Sequence, residues 1–569
     1  MFTISKTLKT WIVVALGATL TLASGAKPAD KVSKDLKKLG KEDRVEAIVI
    51  RKRTAKKLAP GAGLGLQLNN LIVGGGSVLP ELEHIKQTLV SGKVKDLEKL
   101  ADDDDVVSIV PDRSLGATMV LARQATGAYI APSYGLTGAG IGIAVIDSGI
   151  AAHPDLMDST CKTSRIVYSQ NFVPKENSAG DEFGHGTHIA GILAGNGACS
   201  GTSSTLTKMT GIAPAASLIN LRVLNDRGIG RDSDVIAAIN RAIELRRQYN
   251  IRVINLSLGR PVYESYTQDA LCQAVEAATA AGILVVTSAG NEGKYSARGL
   301  KGYGTISSPG NDPYVLTVGA VNMRGTAGLG DDAVTTYSSK GPTALDWIVK
   351  PDLVAPGNRI GAAMAAGSRI GNANRGLRVA EGYPGSKYIR LSGTSMAAPM
   401  AAGAAALLLQ REPDLTPAQI KARLMRTANK AFPASSTVTD GQGTFTTYHD
   451  TLTIGAGHLD IAAALGQSGR GTEGSISPTL RISAAGVATL IDTAPAGTLL
   501  STSWPLFGPL LYGNLNMSSN QVLGGAGKPW GDRSTSGFSV LWGDSVLWGD
   551  SVLWGDSILW GDSVITGDN

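Results

Sequence analysis

Cysteine is nearly absent from this 569-residue chain. There are three, Cys161, Cys199 and Cys272, and no two stand in C-x-x-C spacing. That excludes a cysteine-built zinc site. Histidine is also scarce, at six residues, so the pair His185 and His188 in "FGHGTHIAG" stands out. Most of the chain lacks an excess of either charge. Residues 1–123 hold 20 Lys/Arg against 14 Asp/Glu, and the remainder holds 33 of each. A nucleic-acid binder concentrates base on its functional domain, so no nucleic-acid partner is expected. Acidic loops of the kind that hold calcium are not evident. Beyond residue 22 no apolar run is long enough to span a bilayer; "AAGAAALLLQ" is short and reads as a buried helix.

The beginning of the chain has what the rest lacks. Lys6 and Lys9 precede an apolar run from Trp11 to Leu22, and Ser24 and Ala26 follow at small–x–small spacing. This reads as a secretory signal peptide over residues 1–26, which implies export and no membrane span once it is removed. Residues 27–123 are basic and mixed. "RVEAIVIR" and "VVSIVPD" read as strands, and apolar residues at Ile85, Leu89, Leu97 and Leu100 follow helical spacing. A small α+β domain is expected there, ending in an exposed connection over "RSLGATMVLARQATGA".

From about residue 136 apolar strands alternate with helices. "GIAVID", "SLINLRVL", "IRVINLSL" and "ILVVTSAG" read as strands; "GTHIAGILAG", "DSDVIAAINRAIELRRQY" and "LCQAVEAATAAG" read as helices. Such runs predict an α/β fold, a mainly parallel sheet covered on both faces. Asp147, Ser257 and Asn291 then fall at the carboxyl edge of the strands, where such sheets place active sites. "TSMAAPMAAGAAALLLQ" predicts a buried helix, and Thr416 and Pro417 open an amphipathic one.

Three segments can assemble acyl-transfer chemistry. Asp147 ends the strand of "VIDSGI", His185 lies in "GHGTH", and Ser395 sits in "LSGTSMAAP" where a loop enters a helix. A nucleophile, a base to take its proton and a carboxylate to orient that base are what the reaction needs. The chain order Asp, His, Ser fits neither the G-x-S-x-G hydrolases nor the His–Asp–Ser proteases. A serine at a helix N-terminus offers an unpaired N–H to a developing oxyanion. Asn291 in "TSAGNEG" supplies a second donor. A metal reading of His185 and His188 fails, because no glutamate stands beside either histidine as in H-E-x-x-H.

These stretches resemble the subtilisin-like serine proteases, the subtilases of peptidase family S8. "VIDSGI", "GHGTHIAGILAG", "INLSLG", "TSAGNEG", "YSSKGP", "KPDLVAPG" and "LSGTSMAAPMAAG" occur in the family's order over about residues 136–465. The resemblance implies a three-layer subtilisin-like domain over residues 124–466. It implies a triad of Asp147, His185 and Ser395, with Asn291 as oxyanion donor. His188 is left to pack or hydrogen-bond within the fold. The backbone of Ser257, Leu258 and Gly259 would pair with an extended peptide. Ala289 and Gly290 would help wall the pocket for the residue before the cut bond, with a broad preference for large apolar side chains. Glu292 is expected on the solvated rim.

Residues 27–123 resemble the family's inhibitory propeptide, of the inhibitor I9 type, with a cut expected between Asp112 and Thr126. The substrates implied are proteins or peptides, and the chain's own propeptide is an intramolecular inhibitor. No cofactor or metal is required by this reading, though relatives often hold structural calcium and that remains open. In relatives the loops matching those of Cys161 and Cys199 lie side by side, which implies a disulfide between them; Cys272 is expected to be simply buried.

Residues 467–569 form a low-complexity region that ends in WGDSVL hexapeptide repeats, with Trp542, Trp548, Trp554 and Trp560 six apart. The tail reads as a flexible appendage or as a self-associating or surface-binding β segment that would hold an extracellular protein at the cell surface. A catalytically idle binding protein is the competing class of function, but every catalytic position carries the residue type the chemistry requires.

Overall fold

The structure is a computed structural model. It describes residues 28–52 and 87–111 with short breaks, and residues 118–482 with breaks at 200–208, 295–301, 375–376, 380–386, 432, 441–442 and 468–475. Isolated stretches at 68, 77–78, 488–491 and 538–539 are also described. The expected signal peptide and the Trp-Gly-Asp repeats lie outside the described residues. The chain divides into two compact units, Met1–Leu115 and Gly116–Asn569.

The first unit is built on an antiparallel sheet of four strands, β1 (Arg44–Arg51), β2 (Ser77–Val78), β3 (Gln87–Lys93) and β4 (Val106–Pro111), in the order β2-β3-β1-β4. The helix α1 (Val94–Glu98) follows β3 and buries Val94 and Leu97. Two strands stand where the sequence placed them. Ile85 lies outside the described residues, and at Leu89 the helical spacing does not hold. Gln87–Lys93 pairs with β1, with Ile48 opposite Leu89 and Val49 opposite Thr88. Thr88 and Val90 are buried. Two β-branched residues at period two fit a half-buried strand, and β1 needed a second partner.

The second unit holds an eight-stranded sheet. Its strands are β5 (Gly142–Asp147), β6 (Ile166–Asn171), β7 (Ser217–Arg222), β9 (Ile251–Leu256), β10 (Leu284–Ser288), β11 (Leu316–Asn322), β12 (Ala333–Val334) and β13 (Leu353–Pro356). A two-residue strand β8 (Ile229–Gly230) stands outside it. The order is β12-β11-β10-β9-β5-β7-β6, with β13 on β11. Every pairing is parallel except that of β12 with β11.

Four helices cover the sheet: α3 (His185–Ala194), α4 (Asp232–Leu245), α5 (Ala270–Ala280) and α6 (Thr394–Arg411). The first and last pack together, and so do the middle two. Strands buried on both faces are why the sequence runs apolar without alternation. The sixteen residues from Thr394 to Leu409 are all buried, so α6 is a core helix, and its many alanines let strands approach it closely. The expected exposed connection before this domain is instead a helix, α2 (Thr118–Ala125). It buries Met119 and Ala122, which lie three apart on one helical face, in the main core.

Candidate active site

The geometry starts from two ends of secondary structure. Strand β5 stops at Asp147, and α3 begins at His185. Gly184 sits at φ +108°, and a Cβ added at Gly186 would stand 2.1 Å from the Gly149 carbonyl oxygen. Glycine on both sides therefore lets the helix start press against the end of β5. His185 Nδ1 lies 2.8 Å from Asp147 Oδ1 and 3.0 Å from Oδ2. Both residues are 1% exposed. Asp147 Oδ1 also accepts the Ser148 N–H at 2.7 Å. An imidazole bonded this way carries its proton on Nδ1 and keeps Nε2 as the basic atom. Among the described residues Nε2 is buried without a hydrogen-bond partner.

Ser395 is the second residue of α6, so its N–H belongs to the unpaired first turn. Its Oγ donates to the Ser257 carbonyl at 3.2 Å, and the Ser257 Oγ donates back to the Ser395 carbonyl at 2.9 Å. The expected bond from Ser395 Oγ to His185 Nε2 is not made; the hydroxyl is turned to Ser257. Such bonds commonly tighten only with substrate in place. Asn291 is oriented by Thr394, a residue the sequence reading passed over. The Thr394 N–H and Oγ1 both donate to Asn291 Oδ1, at 2.9 and 3.0 Å. With Oδ1 taken, the amide's NH₂ is the end left to face a substrate oxygen.

Comparison with known proteins meets this site directly. The model of the subtilase family, peptidase S8, matches residues 138–444. The chain belongs to the subtilase family. It is 37% identical over 342 residues to the serine protease AprX of Bacillus subtilis, covering 58% of this chain and 71% of that one. Against subtilisin Savinase of Lederbergia lenta the identity is 34% over 294 residues, 52% of this chain and 85% of the relative. Against subtilisin E of Bacillus subtilis it is 32% over 359 residues, 62% and 78%. This subtilase is a serine-type endopeptidase.

The residues expected to flank the site in this subtilase follow two strand ends. Ser257, Leu258 and Gly259 leave β9; Ala289 and Gly290 leave β10. A Cβ added at Gly259 would stand 2.6 Å from Ser307 Oγ, and one added at Gly290 3.1 Å from the same atom. Ser307 thus lies against both segments. No motif pointed to it, because it comes from a loop distant in sequence. Arg260, next after Gly259, bonds Asp232 and Asp269, each at 2.9 Å. Asp232 is the first residue of α4, so this ion pair ties the segment after β9 to the start of that helix. Glu292 is half-buried, and its N–H donates to Ser339 Oγ at 3.1 Å.

The remaining sequence candidates are placed as follows. His188 is fully buried, with Nε2 3.0 and 3.1 Å from the carbonyls of Ile360 and Ile389. Burial pushes its pKa down to about 3, so it is a neutral structural donor. Cys161 and Cys199 form the disulfide that the resemblance implied, with Cα atoms 5.7 Å apart. Cys272 is buried and free, and burial pushes its thiol far above the usual range. Among the described residues no three His, Cys, Asp or Glu cluster as metal ligands. No helix among them is long and apolar enough to cross a membrane.

Proposed function

We propose that this subtilase cuts peptide bonds through Asp147, His185 and Ser395 by way of an acyl-enzyme. The carrying observation is the buried Asp147–His185 pair, which leaves Nε2 without a hydrogen-bond partner among the described residues. Ser395 Oγ rotates from Ser257 toward Nε2, gives up its proton and attacks the scissile carbonyl. The oxyanion is met by the Ser395 N–H and the Asn291 amide. His185 returns the proton to the leaving amine, and water repeats the cycle on the ester. Asp147 holds the tautomer and stabilises the imidazolium. The substrate lies as an added strand along Ser257–Gly259. Its side chain before the cut bond enters the slot beside Ala289 and Gly290, with broad preference for large apolar groups.

The chain is made as a secreted zymogen in this reading. A leader precedes a unit with its own core, and that unit precedes the peptidase. The N-terminal unit assists folding, inhibits the groove and is removed by the enzyme itself. The repeat tail holds the mature enzyme near a surface. The test is expression without the leader, as wild type and as Ser395→Ala. The wild type is expected to lose about 10 kDa from its N-terminus (about 100 residues) and to hydrolyse casein. The variant is expected to stay full length and inert. A variant that still clears casein would remove Ser395 from its role.

A further inference from the structure

Asp181 lies four residues before His185 and is 5% exposed. Its carboxylate accepts four hydrogen bonds. Oδ1 takes one from Ser148 Oγ at 2.8 Å and one from the Gly184 N–H at 2.6 Å. Oδ2 takes one from the Thr187 N–H at 2.8 Å and one from Thr187 Oγ1 at 2.6 Å. Two of the donors pass the network on. Ser148 Oγ accepts the Gly186 N–H at 2.9 Å, and Thr187 Oγ1 accepts the Ala151 N–H at 2.9 Å. The backbone on both sides of His185 and the residue after Asp147 therefore converge on one carboxylate.

Nothing in the triad chemistry calls for this group. Among the described residues no cation pairs with it. A buried carboxylate held only by neutral donors costs several kcal/mol unless those donors satisfy it fully. Burial pushes its pKa up to about 6, against the pull of the four bonds. A neutral side chain could cap α3 without that cost. What an ionised carboxylate adds is a charge-assisted hub that gathers the donors of both chain segments, among them Ser148 and Thr187, which also bond across the junction themselves. A misplacement of about 1 Å between reacting groups can lower a rate about 100-fold.

We infer that Asp181 is a positioning residue that fixes the β5 end carrying Asp147 against the α3 start carrying His185. It touches neither substrate nor reacting atoms; it acts through Ser148, Gly184 and Thr187. The inference rests on the proposed triad.

The experiment compares Asp181→Asn and Ser148→Ala with wild type and Ser395→Ala in the full chain. Ser148→Ala removes the Ser148 bonds to Asp181 and to the Gly186 N–H and leaves the Asp181 bonds to Gly184 and Thr187 in place, so it serves if Asp181→Asn does not fold. The readouts are kcat and KM on a short peptide, thermal melting, and the far-downfield proton resonance of the Asp147–His185 bond. Both variants are expected to lose about 10- to 100-fold in kcat with KM within about twofold. Their downfield resonance should move or broaden, while Ser148→Ala melts near wild type. Folded variants with unchanged kcat would overturn the inference. So would a rate loss that only tracks loss of folded protein, with the resonance unmoved. An active Ser395→Ala would instead defeat the triad, which separates the two failures.

Discussion

At the residue scale the candidate site was legible because it depends on residue type next to a strand or helix end. Asp147, His185, Ser395 and Asn291 each sit at such an end in the sequence pattern, and the structure pairs Asp147 with His185. What the pattern could not carry is contact across long separations. Ser307 reaches Gly259 and Gly290 only through the fold. Thr394 was hidden beside the more conspicuous Ser395. Its grip on Asn291 carries an expected outcome. Thr394→Val removes the Oγ1 donor but keeps the shape and the N–H. The Asn291 amide then loses one of two anchors, and kcat should fall about 10-fold with little change in KM. Asn291→Ala should cost about 10²–10³ in kcat, the magnitude known for such an asparagine in a subtilisin. Steady-state kinetics on one peptide checks both, and Thr394→Val at full kcat would show that the second anchor is idle.

At the scale of elements, the long periodic helices and the both-faces-buried strands of the peptidase domain were readable, and α7 (Pro417–Thr427) even shows its capping box at Thr416 and Gln419. The failures came where a short apolar run fits two periods. Gln87–Lys93 satisfies helical and strand spacing alike, and its pairing with β1 decides the matter. Thr118–Ala125 is only eight residues, too short to announce a buried face. Packing also reverses a propensity rule in α6. Alanine normally stabilises a helix interior over glycine by about 0.5–1 kcal/mol. At Gly403 an added Cβ would stand 2.6 Å from Ile212 Cβ and 2.8 Å from its Cγ2. Gly403→Ala should therefore destabilise, by about 1–3 kcal/mol for an overpacked core. A lower urea midpoint in the inactive Ser395→Ala background is the expected result, and a raised midpoint would mean that the helix can shift away.

At the scale of the whole molecule, composition excluded classes of function but said nothing of which charges are buried. The folded chain buries His188, His449 and His458, and burial holds them down to about 3, about 4 and about 4. Unfolded, they titrate near 6.5. Below that pH the unfolded chain binds protons the folded one refuses, so their stabilising effect is present above about 6.5 and is lost as pH falls toward 3–4. Burial raises Asp181, Asp312 and Asp332 to about 6, about 8 and about 7, which acts in the opposite sense. A difference measurement isolates one group. His188→Gln keeps a donor for the Ile360 and Ile389 carbonyls but cannot titrate. The stability of the wild-type form relative to this variant should fall as pH drops from 6.5, by at most about 1.4 kcal/mol per unit. Parallel curves would mean that His188 takes its proton with the fold intact. The central claim, that Ser395 is the nucleophile made reactive by His185, has a more direct test. The mature enzyme is treated with a phosphonofluoridate and digested, and the peptides are weighed. The account predicts one phosphonyl group per molecule, on the peptide carrying Ser395, and none in His185→Ala. Full caseinolytic activity in a protein whose Ser395 peptide stays unlabelled would contradict it.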